Sequence, residues 1–287
     1  MSRVITDSKM KMRDKLSFFI FIAAVIVCLC INCFTTIANP NALVDSFCDR
    51  EVVEALRDDI TLYTEDLCLK NSLPDDFIEE TVTYDSTVLL QKSFISGKLG
   101  ASADFNENAF DSYLEDFKQD MIKNINDMID EKNVRVDSNV SDDAVDVFCS
   151  DVAKYVDSRI NLSYINNVAQ GINIMHKLAT VLLVLFGVSG IAAVVYMSLK
   201  GGKTYRVIRH LSYSALGASL VGFADATIIC IVKATKNLVI YPTYVAQAFL
   251  NYVNMSVKSI MVSSLCLLTV FFLLITVVWK IKRNECD

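Results

Sequence analysis

Proline and glycine are scarce in this chain, three and nine among 287 residues. That scarcity excludes a low-complexity linker, and no repeat of fixed period divides the chain. Reactive constellations are missing too. No nucleophile stands with a base, no His/Cys/Asp/Glu set has metal-ligand spacing, and no strand leads into a glycine-rich phosphate loop. The stretch Lys200-Gly201-Gly202-Lys203-Thr204 lacks the spacing of such a loop and reads as a tight basic turn. The acids Asp75-Asp76, Glu79-Glu80, Asp142-Asp143 and Asp146 lack the Asp-x-Asp-x-Asp-Gly order of a calcium loop and read as a solvated face. Two histidines, His176 and His210, fall at opposite mouths of the expected membrane region and cannot share a metal. The expectation is therefore a protein that is not an enzyme, with no cofactor and no metal.

What is abundant is apolar surface, 53% of residues, with a mean hydropathy of +0.39. A chain this apolar that still carries 27 basic and 33 acidic side chains must segregate the two. Residues 39–172 hold 11 basic and 28 acidic residues, net -17, which leaves +11 for the rest. The middle segment therefore repels anionic headgroups and nucleic acid, while the flanks of the apolar runs attract an anionic leaflet.

A hydrocarbon core about 30 Å thick needs roughly 20 apolar helical residues. Leu16–Val44, Leu178–Leu199 and Ser259–Trp279 contain no charge, and Leu211–Val232 contains only Asp225. Basic residues are retained on the cytoplasmic side. Arg3, Lys9, Lys11, Arg13 and Lys15, then Lys200, Lys203, Arg206 and Arg209, then Lys280, Lys282 and Arg283 mark one side. The segment 233–258 has only three lysines and carries Tyr241, Tyr244, Phe249 and Tyr252, aromatics suited to a bilayer interface.

The expected fold is thus membrane all-α, with four transmembrane helices and a mostly helical, four-helix-bundle-like domain outside the cytoplasm between the first two. Its parts are a cytoplasmic tail 1–15, span 16–38, acidic domain 39–174, span 175–199, basic cytoplasmic loop 200–210, span 211–232, outer loop 233–258, span 259–279 and cytoplasmic tail 280–287. Both termini face the cytoplasm of a cell membrane, and sparse proline points to a bacterial one. The first run also admits a reading as a secretory signal cut before Asn39, which leaves the acidic domain outside as well. Lipid anchoring is not expected, because no small residue precedes Cys28, Cys30 or Cys33.

In the acidic domain, apolar residues recur at helical spacing. Val53, Leu56, Ile60, Tyr63 and Leu67 make one stripe, and Phe110, Leu114, Phe117, Met121, Ile125 and Met128 a second. Val152, Val156, Ile160, Tyr164, Val168, Ile172 and Met175 make a third. Ser72, Pro74 and Asp75 read as a helix start and Gly97 and Gly100 as its stop, whereas Thr81–Ile95 fits either a helix or a hairpin arm. With no proline between Asp142 and Leu199, the last helix is expected to run into the second span, as a rigid strut or with Gly171 as a hinge.

Cys68 and Cys149 come out at similar height above the bilayer and form a candidate disulfide, while the Cys30 and Cys33 pair reads as apolar filler. Asp225 is the candidate intramembrane polar site, either a group that binds a cation or one that bonds a neighbouring span. Ser214, Ala218, Gly222 and Ala226, at every fourth position, form a smooth helix-packing face. Asn139, Asn161 and Asn254 open glycosylation sequons, which matter only in a eukaryotic host.

The functional expectation is a non-enzymatic protein whose outer domain binds or senses an external partner, whose spans contact membrane lipid and assemble with other membrane proteins, and which does not bind nucleic acid. The alternative is a permease-like subunit of an ATPase-driven complex. In order of parts alone the chain resembles the mechanotransmitting permeases that work with a separate ATPase. It departs from them where they place a longer coupling helix, since only Lys200–His210 separates the second and third spans.

Overall fold

The computed structural model describes residues 2–35, 38–71, 73, 75–100, 108–131, 142–200, 204–235 and 241–284, and contains helices and no strand among them. The chain divides into two compact units, one of residues 1–39, 172–237 and 253–287, the other of residues 40–171 and 238–252.

The first unit is apolar. Its helices are α1 (Ser2–Thr35), α8 (Ser163–Lys200), α9 (Thr204–Thr235) and α10 (Thr243–Asn284), the last three numbered after the helices of the second unit. Each contains a segment long and apolar enough to cross a membrane, and α8 and α10 also contribute their first turns to the second unit. Close approach is achieved with small residues, as expected where lipid removes the hydrophobic drive between helices. A Cβ added at Gly217 of α9 would collide with the Phe21 ring of α1, and one at Gly222 with Ser264 Oγ of α10. At Gly190 of α8 it would stand 3.3 Å from Ala23 Cβ. Hydroxyls tie the same contacts: Ser219 donates to the Ser264 carbonyl at 2.9 Å, and Ser263 to Asn32 Oδ1 at 2.5 Å. Leu178, Val181, Leu185 and Val188 of α8 and Leu265, Phe272 and Leu273 of α10 are more than half exposed, a surface compatible with lipid contact.

The second unit is acidic. It holds α2 (Pro40–Phe47), α3 (Arg50–Asn71), α4 (Ile78–Thr81), α5 (Tyr84–Leu99), α6 (Ala109–Glu131) and α7 (Asp142–Ile160). The four long helices form a ring in which α5 packs on α6, α6 on α7, α7 on α3 and α3 on α5. Between them lie Val52, Leu56 and Ile60, Phe94 and Ile95, Met121 and Ile125, and Val152 and Val156, all buried.

Two proline-poor stretches that could each have formed one helix are broken. The apolar run Leu16–Val44 is not one rising helix: α1 ends at Thr35, the Ala38 N–H closes back on the Cys33 carbonyl at 2.7 Å, and Pro40 opens α2. Proline suits a first helical position because that N–H would have no partner anyway. The passage Asp142–Leu199 breaks as well, between Ile160 and Ser163. There the Asn161 N–H still bonds the Asp157 carbonyl at 2.7 Å, its side chain donates to Asp157 Oδ1 at 3.2 Å, and the Leu162 N–H turns to the Ile160 carbonyl at 2.9 Å. The break moves the buried face by one residue. Past Ile160, Ile165 and Ala169 are buried in place of Tyr164 and Val168, Ile172 is buried as expected, and Met175 is exposed.

Thr81–Ile95, open to either reading, is helical except for a step at Val82 and Thr83. Thr83 then caps α5: its hydroxyl accepts from the Ser86 N–H and its own N–H donates to Ser86 Oγ, both at 3.1 Å. Gly100 ends α5 in the left-handed conformation at φ 58°, where a side chain would be strained, while Gly97 lies within the helix. Ser72 and Pro74 lie outside the described residues, as does Asn139. The nearest described helix start is α4, whose N-cap Phe77 makes no side-chain bond.

Candidate functional site

In the apolar unit, the packing face and the acid lie on the same helix. Ser214, Ala218, Gly222 and Ala226 of α9 are all buried, and Ala226 packs with Val257 and Ile260 of α10. Asp225 lies next to that face and lines a cavity of about 290 Å³ together with Leu29, Asn32 and Cys33 of α1, Met175 of α8, Ile228 and Ile229 of α9, and Ile260 of α10. Those neighbours fix its depth. Asn32 and Cys33 are close to the end of α1 at Thr35, Met175 precedes the charge-free run from Leu178, and Ile260 opens the run from Ser259. Sixteen residues of helix separate Asp225 from Arg209, about 24 Å. Asp225 therefore stands towards the end of the apolar segments that is remote from Arg209, not at their middle. Among the described residues no hydrogen bond or ion pair reaches its carboxylate.

The two histidines hold local bonds. His210 Nδ1 meets Ser17 Oγ at 2.7 Å, and His176 packs edge-on to Phe34 at 4.9 Å with Nδ1 at 3.4 Å from the Ala38 carbonyl. Among the described residues no three His, Cys, Asp or Glu side chains converge as a metal site.

The acidic unit has a polar and aromatic cluster that the sequence did not announce. Arg159 of α7 donates to Tyr155 Oη at 2.6 Å, and Tyr155 donates to Asp59 Oδ2 of α3 at 3.1 Å. Arg159 Nε stands 3.0 Å from the same carboxylate oxygen, an ion pair without the alignment of a hydrogen bond. The guanidinium lies 4.7 Å from the Tyr155 ring centre and 5.6 Å from that of Tyr241, and the Tyr63 ring stacks on Tyr155 at 3.6 Å. Tyr244 completes the group by donating to the Arg159 carbonyl at 2.7 Å. Burial opposes the charge of Arg159, but the bonds to Tyr155 and Tyr241 and the charge of Asp59 outweigh it and raise its pKa.

Two of the aromatics expected at a bilayer interface, Tyr244 and Phe249, find partners within the acidic unit, while Tyr241 stays exposed. Tyr244 is buried, and Phe249 packs on Phe47 at 5.6 Å and on Tyr164 at 6.4 Å. Gln247 donates to Glu51 at 2.8 Å. Much of the segment 233–258 is helix, because α10 already begins at Thr243. A usable signal was present: Arg159 is one of two bases on α7 and follows Tyr155 by one helical turn.

A cleft of about 600 Å³ opens beside α3, lined by Asp58, Glu65, Asp75, Asp76 and Glu79 with Arg57 as the one base, and by Ile78, Val82 and Tyr84. Cys68 of α3 and Cys149 of α7 are buried in the core and carry free thiols. Burial, then Asp75 and Glu65, push Cys68 up to about 11; burial, then Asp146, push Cys149 up to about 12, with Cys68 itself contributing. The two thiols thus lie within electrostatic reach of one another. An unfolded thiol releases its proton near pH 9 and these folded ones hold theirs to about 11 and 12, so the unfolded state loses protons first. Stability of the reduced protein is expected to be intact below pH 9 and to fall as pH rises from 9 towards 12. Oxidation to a Cys68–Cys149 bridge would remove both titrations. Denaturant midpoints across that range, with and without reductant, check this: identical curves under the two conditions, with no bridged peptide by mass mapping, would exclude the disulfide.

Gly171 sits within α8 with open space where a Cβ would project, at the residue where the division into units falls.

The fold and these features define an all-helical protein with four helices able to cross a membrane, joined in one chain to an acidic helical unit. No protein-family model, no curated protein and no solved structure matches the chain.

Proposed function

We propose that the protein is a non-enzymatic membrane component whose acidic helical unit lies outside the cytoplasm and binds an external partner, with the spans assembling alongside other membrane proteins. One observation carries the reading: α8 and α10 each have their first turns in the acidic unit and continue without a break as membrane-length apolar helices. A partner that shifts the acidic unit acts directly on two spans, since a helix transmits displacement along its axis. The cleft beside α3, with five carboxylates against one guanidinium, favours a cationic partner surface over an anionic one.

The permease-like alternative finds less support. Only three residues, 201–203, separate the end of α8 at Lys200 from the start of α9 at Thr204, too few for a separate coupling helix for an ATPase to engage.

Crosslinking in intact cells, with the affinity tag on the C-terminus and attachment sites mapped, separates the two. Partners attached within residues 39–174 by a membrane-impermeant reagent are the expected result. An ATPase attached within 200–210 would replace this reading with the alternative, and impermeant labelling of 200–210 in place of 39–174 would invert the topology.

A further inference from the structure

The cavity around Asp225 combines four properties that together specify a ligand. Its depth is the first. By its neighbours on three other helices, Asp225 lies towards the end of the apolar segments that is remote from Lys200, Arg209 and Lys280, where lipid headgroups begin. The second is access. Leu29, Met175 and Ile228 on its rim are 42%, 39% and 57% exposed, on helices whose outward surfaces are apolar, so the cavity opens sideways towards lipid.

The third property is charge. The Asn32 amide is engaged by Ser263 at 2.5 Å and points its nitrogen to Cys28 Sγ at 3.8 Å, which leaves the Asp225 carboxylate as the free acceptor of the cavity. Lys177 and Lys258 follow Met175 and precede Ile260 by two residues, so helical spacing turns them away from the cavity, and neither pairs with Asp225. A carboxylate at the border of lipid with no cation beside it is costly unless it is neutralised or a cation is supplied from outside. The fourth is the wall. Its other residues are Leu, Ile, Met and Cys, with no aromatic ring. Quaternary ammonium groups are recognised by aromatic faces, whereas a primary ammonium needs hydrogen-bond acceptors such as carboxylate oxygens.

From these we infer that the Asp225 cavity is a binding site for an amphiphile with a primary ammonium head, entering from the membrane with its chain against Leu29, Met175 and Ile228. The ammonium donates to the Asp225 oxygens and the apolar rim covers the chain. At about 290 Å³ the cavity takes a headgroup and the first part of one chain, not a whole lipid. The site stands independently of what the acidic unit binds.

The test uses the full chain reconstituted in phosphatidylcholine bilayers, with trace chain-spin-labelled phosphatidylethanolamine, phosphatidylcholine or phosphatidylglycerol. The fraction of each probe held at the protein is read by electron paramagnetic resonance. The expected result is a phosphatidylethanolamine preference of roughly 10-fold or more over phosphatidylcholine, the ratio one charge-assisted hydrogen bond supports. That preference falls to about one in Asp225→Asn and is kept in Asp225→Glu. Competition by dodecylammonium, with dodecyltrimethylammonium and dodecanol as controls, gives the second arm. Displacement by dodecylammonium alone, without a phosphatidylethanolamine preference, supports the primary-amine site and assigns it to a single-chain amine. Equal retention of all three lipids together with equal competition by the three amphiphiles in the wild-type protein overturns the inference, whether or not either variant folds. So does a preference that survives in Asp225→Asn.

Discussion

Replacing Phe94 by alanine is expected to destabilise the acidic unit by about 3–5 kcal/mol, the usual cost of removing a fully buried phenyl ring. Phe94 is 2% exposed on α5, and its ring meets that of Phe110 on α6 edge-on at 5.2 Å. Because α5 packs on both α3 and α6, the void would open where helices of the ring meet, and they cannot all close in to fill it. Leu89 on the same helix is 39% exposed, so Leu89→Ala should cost under about 1 kcal/mol. The comparison is made on the full chain in detergent, by hydrogen exchange of α5 and α6 amides against urea. Similar losses for the two variants would mean that Phe94 is not a core anchor of α5.

The second large effect is expected at Arg159. Arg159→Ala removes the bond to Tyr155, the ion pair with Asp59 and the stacking on two tyrosine rings, and leaves a partly buried carboxylate without its cation. A charge-assisted hydrogen bond contributes about 1.5–3 kcal/mol. Because the Arg159 and Asp59 side chains keep 19% and 33% exposure, the ion pair is discounted for solvent screening and about 2–3 kcal/mol in total is expected. Arg159→Lys should recover less than half of it, since an ammonium cannot both stack and present the planar fork. The readout particular to this cluster is local: amides of residues 243–252 should exchange faster in Arg159→Ala, because the Tyr241 ring loses the guanidinium beside it, although the Tyr244 bond to the carbonyl of residue 159 remains. Unchanged exchange in that segment, with only a global loss of stability, would show that Phe47 and Glu51 suffice to hold it.

Why some of this was legible and some not follows from what each helix faces. The stripes of α3, α6 and α7 could be read because one side of each meets solvent, so a 3.6-residue rhythm separates apolar from charged positions. Even there the face drifted: on α3 the fully buried positions end on Thr64 and Cys68, and Tyr63 and Leu67 are only partly covered. Helix α5 had no such rhythm. Its buried set, Thr87, Leu90, Gln91, Ser93, Phe94, Ile95, Ser96 and Leu99, surrounds most of the helix, and a helix enclosed by neighbours needs no polar side. That is why Thr81–Ile95 fitted a hairpin equally well until its Thr83 cap was seen in place.

The sequence by itself determined what depends on local composition and length: a mostly helical chain, four stretches long and apolar enough to cross a membrane, the concentration of acid in residues 39–172, and the close spacing of Ser214, Ala218, Gly222 and Ala226 along one side of α9. Those features follow from periodicity and chain charge, which need no knowledge of what lies opposite. The tertiary structure alone decided what depends on partners distant in the chain. It gave Tyr244 and Phe249 partners within the acidic unit, it joined Asp59, Tyr155 and Arg159 across two helices, and it set Asp225 in a cavity with Asn32, Met175 and Ile260 of three other helices. An aromatic residue buries its ring as readily against protein as against lipid, and a residue's depth is set by the neighbouring helices, so neither could be fixed from one segment of sequence.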